Sequence, residues 1–100
     1  MAGPILPQRA KTARQARLAL ANTAFQVGVL LSIQRNRLGK RQGDLAAEIR
    51  CAQPDISRLE RGLPPAKPLS DLQLKRLFKT LDLADEDRLR EFLKWWQTHG

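Results

Sequence analysis

The 21 residues from Gln42 to Gly62, QGDLAAEIRCAQPDISRLERG, constrain the fold more than any other part of the sequence. They contain two stretches with helical spacing of apolar residues, each about eight residues long, on either side of the bend IRCAQP. Helices this short are marginal in isolation, so each needs partners from the rest of the chain. We expect Ala46 to lie where the two helices nearly touch. The apolar residues that fill the wedge between these helices and a preceding one are Leu45, Ile49, Cys51, Ile56 and Leu59.

Composition favours an all-α domain. The 100 residues are about one domain in length, and 17 Leu and 12 Ala stand against 4 Ile and 2 Val. Apolar spacing predicts a first helix from Ala24 to Leu38, ended by Gly39. A fourth helix begins at the capping box of Ser70 and Gln73, after the proline-rich connector LPPAKPLS, and a fifth opens with the acids of residues 85–87. The predicted inner faces are Ala24, Val27, Leu31 and Leu38; Leu74, Leu77, Phe78 and Leu81; and Leu89, Phe92, Leu93 and Trp96.

Positive charge is concentrated in the N-terminal part of a chain whose formal net charge is +8. Residues 1–43 contain eight basic and no acidic side chains, whereas residues 44–100 contain ten of each. This asymmetry indicates a polyanionic partner, nucleic acid rather than a membrane, because no long helix with Trp or Phe opposite Lys accompanies it. A basic tail that only keeps the protein soluble stays an alternative. We predict a basic N-terminal arm over residues 1–22, partly disordered or helical, and a folded domain over residues 23–100.

Residue usage argues against catalysis and against cofactors. Cys51 is the only cysteine and His99 the only histidine, so we expect no disulfide, no metal site and no nucleophile–histidine pair. The single cysteine suits a reducing cytoplasm, and we expect Cys51 to be a small buried hydrophobe rather than a redox sensor. We expect no membrane span, because no apolar run approaches about 20 residues. The expectation is a cytoplasmic protein that is not an enzyme.

The central stretch, read with LGKRQGDLAAEI, QPDISRLERG and LFKTLDL, resembles the lambda-repressor-like, or Xre, family of helix-turn-helix DNA-binding domains over roughly residues 27–83. The resemblance implies a compact five-helix domain that binds double-stranded DNA. In the family, a glutamine opening the second helix binds a phosphate and braces a glutamine that opens the recognition helix; Gln42 and Gln53 match them. The implied base-reading residues are Gln53, Pro54, Asp55 and Arg58, with helix-dipole complementation as the favoured role of Asp55. The implied phosphate contacts are Gln42, Lys40, Arg41, Ser57, Arg61 and Lys67, with Arg9, Lys11, Arg14 and Arg17 from the arm.

Arg35 falls on the apolar stripe of the first helix, four residues after Leu31. An isolated buried charge is costly, so Arg35 needs a partner. Similar repressors pair an arginine of the first helix with a glutamate that matches Glu60. We therefore predict an ion pair between Arg35 and Glu60 that serves structure and does not read DNA.

Three residues depart from the family pattern around the bend. Arg50 stands where glycine usually provides a left-handed backbone, at a cost of about 1 kcal/mol. Ala52 stands where Ser or Thr usually caps the recognition helix, and Pro54 follows in its first turn. We expect a slightly shifted or tightened start of the recognition helix.

The fifth helix suggests a dimer surface. Trp95 and Trp96 point about 100° apart on a helix, so both rings can hardly enter one core. In lambda-type repressors the corresponding helix contributes to dimer contacts, which implies a homodimer on a near-palindromic operator. The predicted interface residues are Leu89, Phe92, Leu93, Trp95 and Trp96.

The sequence thus predicts a sequence-specific transcriptional regulator, a repressor, and leaves two alternatives open. One is an antitoxin that binds a toxin protein, through its N-terminal segment, as well as its own promoter. The other is an adaptor that uses the fold for protein contacts, although an adaptor has no need of glutamines at both Gln42 and Gln53.

Overall fold

The computed structural model describes residues 12–99, which form five α-helices and no strand. The predicted all-α, five-helix architecture is confirmed. The helices are α1 (Ala13–Arg37), α2 (Gln42–Ile49), α3 (Gln53–Glu60), α4 (Asp71–Thr80) and α5 (Asp87–His99). Helix α1 packs against α3 and α5, α2 packs against α3 and α4, and α4 packs against α5. The radius of gyration, 13.3 Å, is that of a compact globule of this length.

Helix α1 extends the predicted Ala24–Leu38 helix toward the N-terminus, through residues of the arm for which a helix was one of the two expectations. It starts after Thr12, whose hydroxyl accepts a hydrogen bond from the Gln15 N–H at 3.1 Å, and runs unbroken across the boundary expected between residues 22 and 23. It stops at Arg37, and Gly39 follows with φ of +68°. Leu38 is therefore the C-cap and is 45% exposed, so its predicted place in the core is wrong.

The inner face of α1 lies very close to the backbone of α3. A Cβ on Gly28 would lie 2.4 Å from the Leu59 carbonyl oxygen, so only glycine permits this approach. Ala24, Val27 and Leu31 are buried on the same face. Contrary to the expectation from the sequence, α1 is by length and composition the one described helix apolar enough to cross a membrane; 22% of that apolar window is buried, through the face that joins the core.

The α2–α3 pair has the predicted core. Leu45, Ala46, Ile49, Ile56 and Leu59 are all buried, and Cys51 is partly buried beside them. Arg50 adopts the expected left-handed backbone, with φ of 60° and ψ of 50°. Its carbonyl oxygen accepts a hydrogen bond from Gln73 Nε2 at 2.8 Å. The Gln73 side chain also closes the predicted capping box with Ser70, so one amide joins the end of α2 to the start of α4.

The connector between α3 and α4 is fixed at two points. Gln97 of α5 accepts from the Leu69 N–H at 3.0 Å and donates to the Leu69 carbonyl at 2.6 Å. Asp55 of α3 accepts from the Ala66 N–H at 3.0 Å. The proline-rich segment therefore has a defined path over the domain instead of hanging free.

Candidate nucleic-acid interface

The first residues of α2 and α3 are brought side by side. Gln53 Nε2 donates to Gln42 Oε1 at 3.5 Å, and Gln42 Nε2 donates to Glu60 Oε1 at 3.1 Å. Glu60 in turn accepts from the Arg35 guanidinium, with Nε to Oε2 at 2.6 Å and Nη2 to Oε1 at 2.9 Å. A chain of four polar side chains thus runs from the buried face of α1 to the exposed start of α3. Its last link is also its longest, at the distance limit of a hydrogen bond, so it brings the Gln53 amide beside Gln42 without fixing it.

An open cleft of about 760 Å³ lies beside these two glutamines. Its wall is the end of α1 and the first turn of α2, and its lining includes Arg35, Lys40 and Arg41. The one acid in the lining, Asp44, accepts from the Arg41 backbone N–H at 3.2 Å. Arg35 and Lys40 are paired with Glu60 and Glu48, so Arg41 and the N-terminal end of α2 are the groups here that suit an anionic group such as phosphate.

The side of α3 that faces away from the core is polar and basic. It carries Gln53, Pro54, Ser57, Arg58 and, just beyond the helix end, Arg61. Gln53, Pro54 and Arg61 are exposed, whereas Ser57 and Arg58 are half-buried. At about 100° per residue these positions span roughly 140° of the helix surface. The start of α3 has no side-chain cap, because the Ala52 side chain has no oxygen, as the sequence implied.

Asp55 lies on a different side of α3. Only 6% of it is exposed, and its carboxylate accepts the Ala66 N–H of the connector. This placement does not suit base reading, whereas a carboxylate in the first turn of α3 is where its favoured role, complementing the helix dipole, requires it. Its function here is to hold the connector against α3.

The predicted phosphate contacts differ in exposure, in ion pairing and in their distance from the cleft. Lys40 is half-buried and its Nζ is 2.8 Å from Glu48 Oε1, whereas Arg41 and Lys67 are exposed. Arg14 and Arg17 are exposed on the first turns of α1, and Arg17 lines a separate cavity with Trp96 and His99. Arg9 and Lys11 lie outside the described residues. Arg41 and Gln42 line the same cleft as Gln53.

The dimer surface predicted on α5 needs correction. Phe92, Leu93 and Trp96 are 0%, 1% and 5% exposed, so they belong to the core of their own domain. Leu89 and Trp95 are half-buried against that core, and the Trp95 ring stacks on His99 at 5.1 Å. An exposed apolar surface that was not predicted lies on α1 and consists of Leu18, Phe25, Val29 and Ile33. The i, i+4, i+8 spacing from Phe25 was the available signal.

No cluster of three or more His, Cys, Asp or Glu side chains suited to a metal ion occurs within residues 12–99. No protein-family model, curated protein or solved structure matches the chain.

Proposed function

We propose that the protein is a sequence-specific DNA-binding regulator of transcription. It is a repressor of the lambda-repressor-like helix-turn-helix kind, acting in the cytoplasm as a homodimer on a near-palindromic operator. One observation carries the proposal: Gln42 and Gln53, the first residues of two short helices, meet amide to amide at the edge of an open basic cleft.

In the proposed complex the exposed start of α3 enters the major groove, which admits a helix. The Gln53 side-chain amide has two N–H donors and one carbonyl oxygen, and one N–H is donated to Gln42. The second N–H and the carbonyl oxygen match adenine N7 and the adenine amino group. Arg58 addresses guanine O6 and N7, and the exposed ring of Pro54 offers an apolar contact for a thymine methyl group.

The phosphate backbone is held beside this helix. Arg41 and the N-terminal end of α2 bind a phosphate next to the Gln42–Gln53 pair, while Ser57, Arg61 and Lys67 contact the strand along α3 and the connector. Glu60 orients Gln42, and Gln42 orients Gln53, so the ion pair with Arg35 acts on base reading only through position. This arrangement separates residues that fix register from those that read sequence.

The experiment is selection of duplexes from a random library by the purified full chain, followed by the same selection with Gln53→Ala. The proposal expects an enriched site with two related halves about 10 base pairs apart, centre to centre. Gln53→Ala should weaken binding by about 1–3 kcal/mol and relax preference at one base pair per half. Gln26→Ala, an exposed glutamine on α1, is the matched control and should leave the profile intact. No enrichment, or an unchanged profile with Gln53→Ala, contradicts the proposal.

A further inference from the structure

Helix α1 has a second apolar face, on the side away from its buried one. Leu18, Phe25, Val29 and Ile33 are 60%, 54%, 39% and 50% exposed. At about 100° per residue they fall within an arc of roughly 80°, with Asn22 among them. The face runs about 22 Å along the helix.

No charged side chain interrupts this part of α1. Residues 18–34 contain no Asp, Glu, Lys or Arg in a chain that is 28% charged. The basic residues stand at the two ends of the helix, with Arg14 and Arg17 before this segment and Arg35 and Arg37 after it. Arg35 turns inward to Glu60, so it does not meet a partner laid on the outer face. An occupant of this face must therefore be apolar and uncharged over several helical turns.

We propose that the occupant is the same face of a second copy of this chain, packed antiparallel about a two-fold axis near Phe25. A two-fold contact needs a surface that complements itself, and an uncharged apolar stripe does so. Antiparallel pairing about Phe25 sets Leu18 against the partner's Ile33 and brings the two Phe25 rings together at the axis, where aromatic pairs are favourable. Basic residues stand at both ends of α1, so the helix ends repel in either orientation; the matched contacts of Leu18 with Ile33 and of Phe25 with Phe25 favour the antiparallel one.

The apolar face of α1 is small, and Leu63 from the segment after α3 adds to it. Leu63 is 41% exposed and follows Gly62, whose backbone packs so closely on α1 that a Cβ there would lie 2.7 Å from Phe25 Cα. Even with Leu63 the surface consists of five apolar side chains, far fewer than the roughly 20–30 residues per partner of a standard stable interface. The dimer is therefore a weak one in free solution. The inference names the surface through which the proposed homodimer forms. It rests on the proposed function only in assuming that an operator brings two copies together.

The first test is sedimentation equilibrium of the full chain without DNA, from micromolar to millimolar concentration. The mass should rise from 11.3 kDa toward twice that value. Phe25→Glu and Ile33→Glu should each weaken association at least tenfold. Leu72→Glu is the matched control, since Leu72 is 58% exposed on α4, and it should have no effect. Circular dichroism verifies that each variant is folded. A wild-type chain that stays monomeric throughout, or dimers that Phe25→Glu leaves intact, overturns the proposal without bearing on DNA binding.

Cross-linking tests the orientation in a Cys51→Ser background. With a short bis-maleimide, Phe25→Cys should cross-link to itself, and Leu18→Cys should cross-link only when mixed with Ile33→Cys. Self-cross-linking of Leu18→Cys alone would show that the antiparallel arrangement is wrong. Phosphatidylglycerol vesicles test the other occupant: binding of a monomer to vesicles that Phe25→Glu abolishes would assign this face to a membrane surface and overturn the second-copy proposal.

Discussion

Arg35 of α1 and Glu60 of α3 form a bidentate ion pair in which both side chains are nearly buried, 12% and 6% exposed. The hydrogen bond to Glu60 holds the pKa of Arg35 above its ordinary value, so the arginine stays charged. Arg35 Nη1 also donates to the Lys40 carbonyl, and Glu60 Oε1 also accepts from Gln42. The pair thus ties the inner face of α1 to the start of α2 and the end of α3.

Removing both partners of this pair should cost less than the sum of the losses from removing each alone. Arg35→Met alone or Glu60→Leu alone leaves an unpaired charge in a nearly buried site and should lower the free energy of unfolding by about 3–5 kcal/mol. The double variant should lose clearly less than the sum of the single losses, although the bonds to Lys40 and Gln42 are still lost. Denaturant unfolding of the four proteins measures the coupling. Additive losses would mean that the two side chains do not act as a pair.

This contact shows what the sequence could predict. Arg35 interrupts an apolar stripe, and the cost of burying a lone charge requires a partner within reach. Glu60, 25 residues away, was predicted as that partner only through the resemblance. The α2–α3 pairing and the Ser70–Gln73 capping box follow from spacing itself, because each depends on neighbours only a few residues away. Such local rules predicted most of the helical framework correctly.

The misses concern surfaces whose environment depends on distant parts of the chain. Spacing groups Phe92, Leu93 and Trp96 on one face of α5, but it does not say whether that face meets its own domain or another molecule. The stripe of Phe25 and Val29 was overlooked for the same reason. The sequence allowed base reading by Asp55 beside its favoured role at the helix dipole, because the path of the connector, which brings the Ala66 N–H to its carboxylate, is a tertiary feature.

Arg41 should contribute to affinity and not to sequence preference. It is exposed, lines the cleft beside Gln42 and has no ion pair within residues 12–99. Arg41→Ala should weaken binding to all duplexes nearly equally and reduce the slope of log K against log salt by about one unit. Arg88→Ala is the control, because Arg88 is an exposed arginine on α5, which packs against α1 and α4. Fluorescence anisotropy over a salt series measures both. Loss of preference at a single base pair would make Arg41 a base reader instead.

Asp55 should affect stability and leave sequence preference intact. Asp55→Ala removes the acceptor of the Ala66 N–H and should cost about 1–3 kcal/mol of unfolding free energy. Asp55→Asn keeps a side-chain oxygen at that position and should cost less. Thermal melts rank the variants, and duplex selection with each should return the wild-type site. A changed preference at one base pair would restore Asp55 to the base-reading set.

Two glycines should respond in opposite directions to alanine. Gly28→Ala would bring its Cβ to 2.4 Å from the Leu59 carbonyl oxygen and 2.7 Å from that of Glu60, and backbone cannot move aside without shifting α3. We expect a loss of about 1–3 kcal/mol, despite the better helix propensity of alanine. Gly43→Ala in α2 meets no atom within 4 Å and should gain about 0.5–1 kcal/mol. Thermal melts of both variants check this, and equal effects would contradict the close α1–α3 contact.

Cys51 should be an unreactive thiol at neutral pH. Burial, with a smaller contribution from the nearby Asp55 carboxylate, raises the pKa of Cys51 from 9.0 to about 11. At pH 8 the thiolate fraction should be about a hundredfold lower in the folded chain than in the unfolded one, and alkylation by iodoacetamide should slow accordingly. The thiol ionises near pH 9 in the unfolded chain and only near pH 11 in the folded one. Below pH 9 the ionisation of Cys51 therefore does not change the free energy of unfolding. Between pH 9 and pH 11 the unfolded chain loses its proton first, so the free energy of unfolding falls as the pH rises. Cys51→Ala should lack this decrease. Lysines titrate in the same pH range in both proteins, so the difference between the two unfolding free energies gives the contribution of Cys51 alone. Alkylation of the folded chain as fast as of the unfolded one would instead place the thiol in contact with solvent and reopen a redox role.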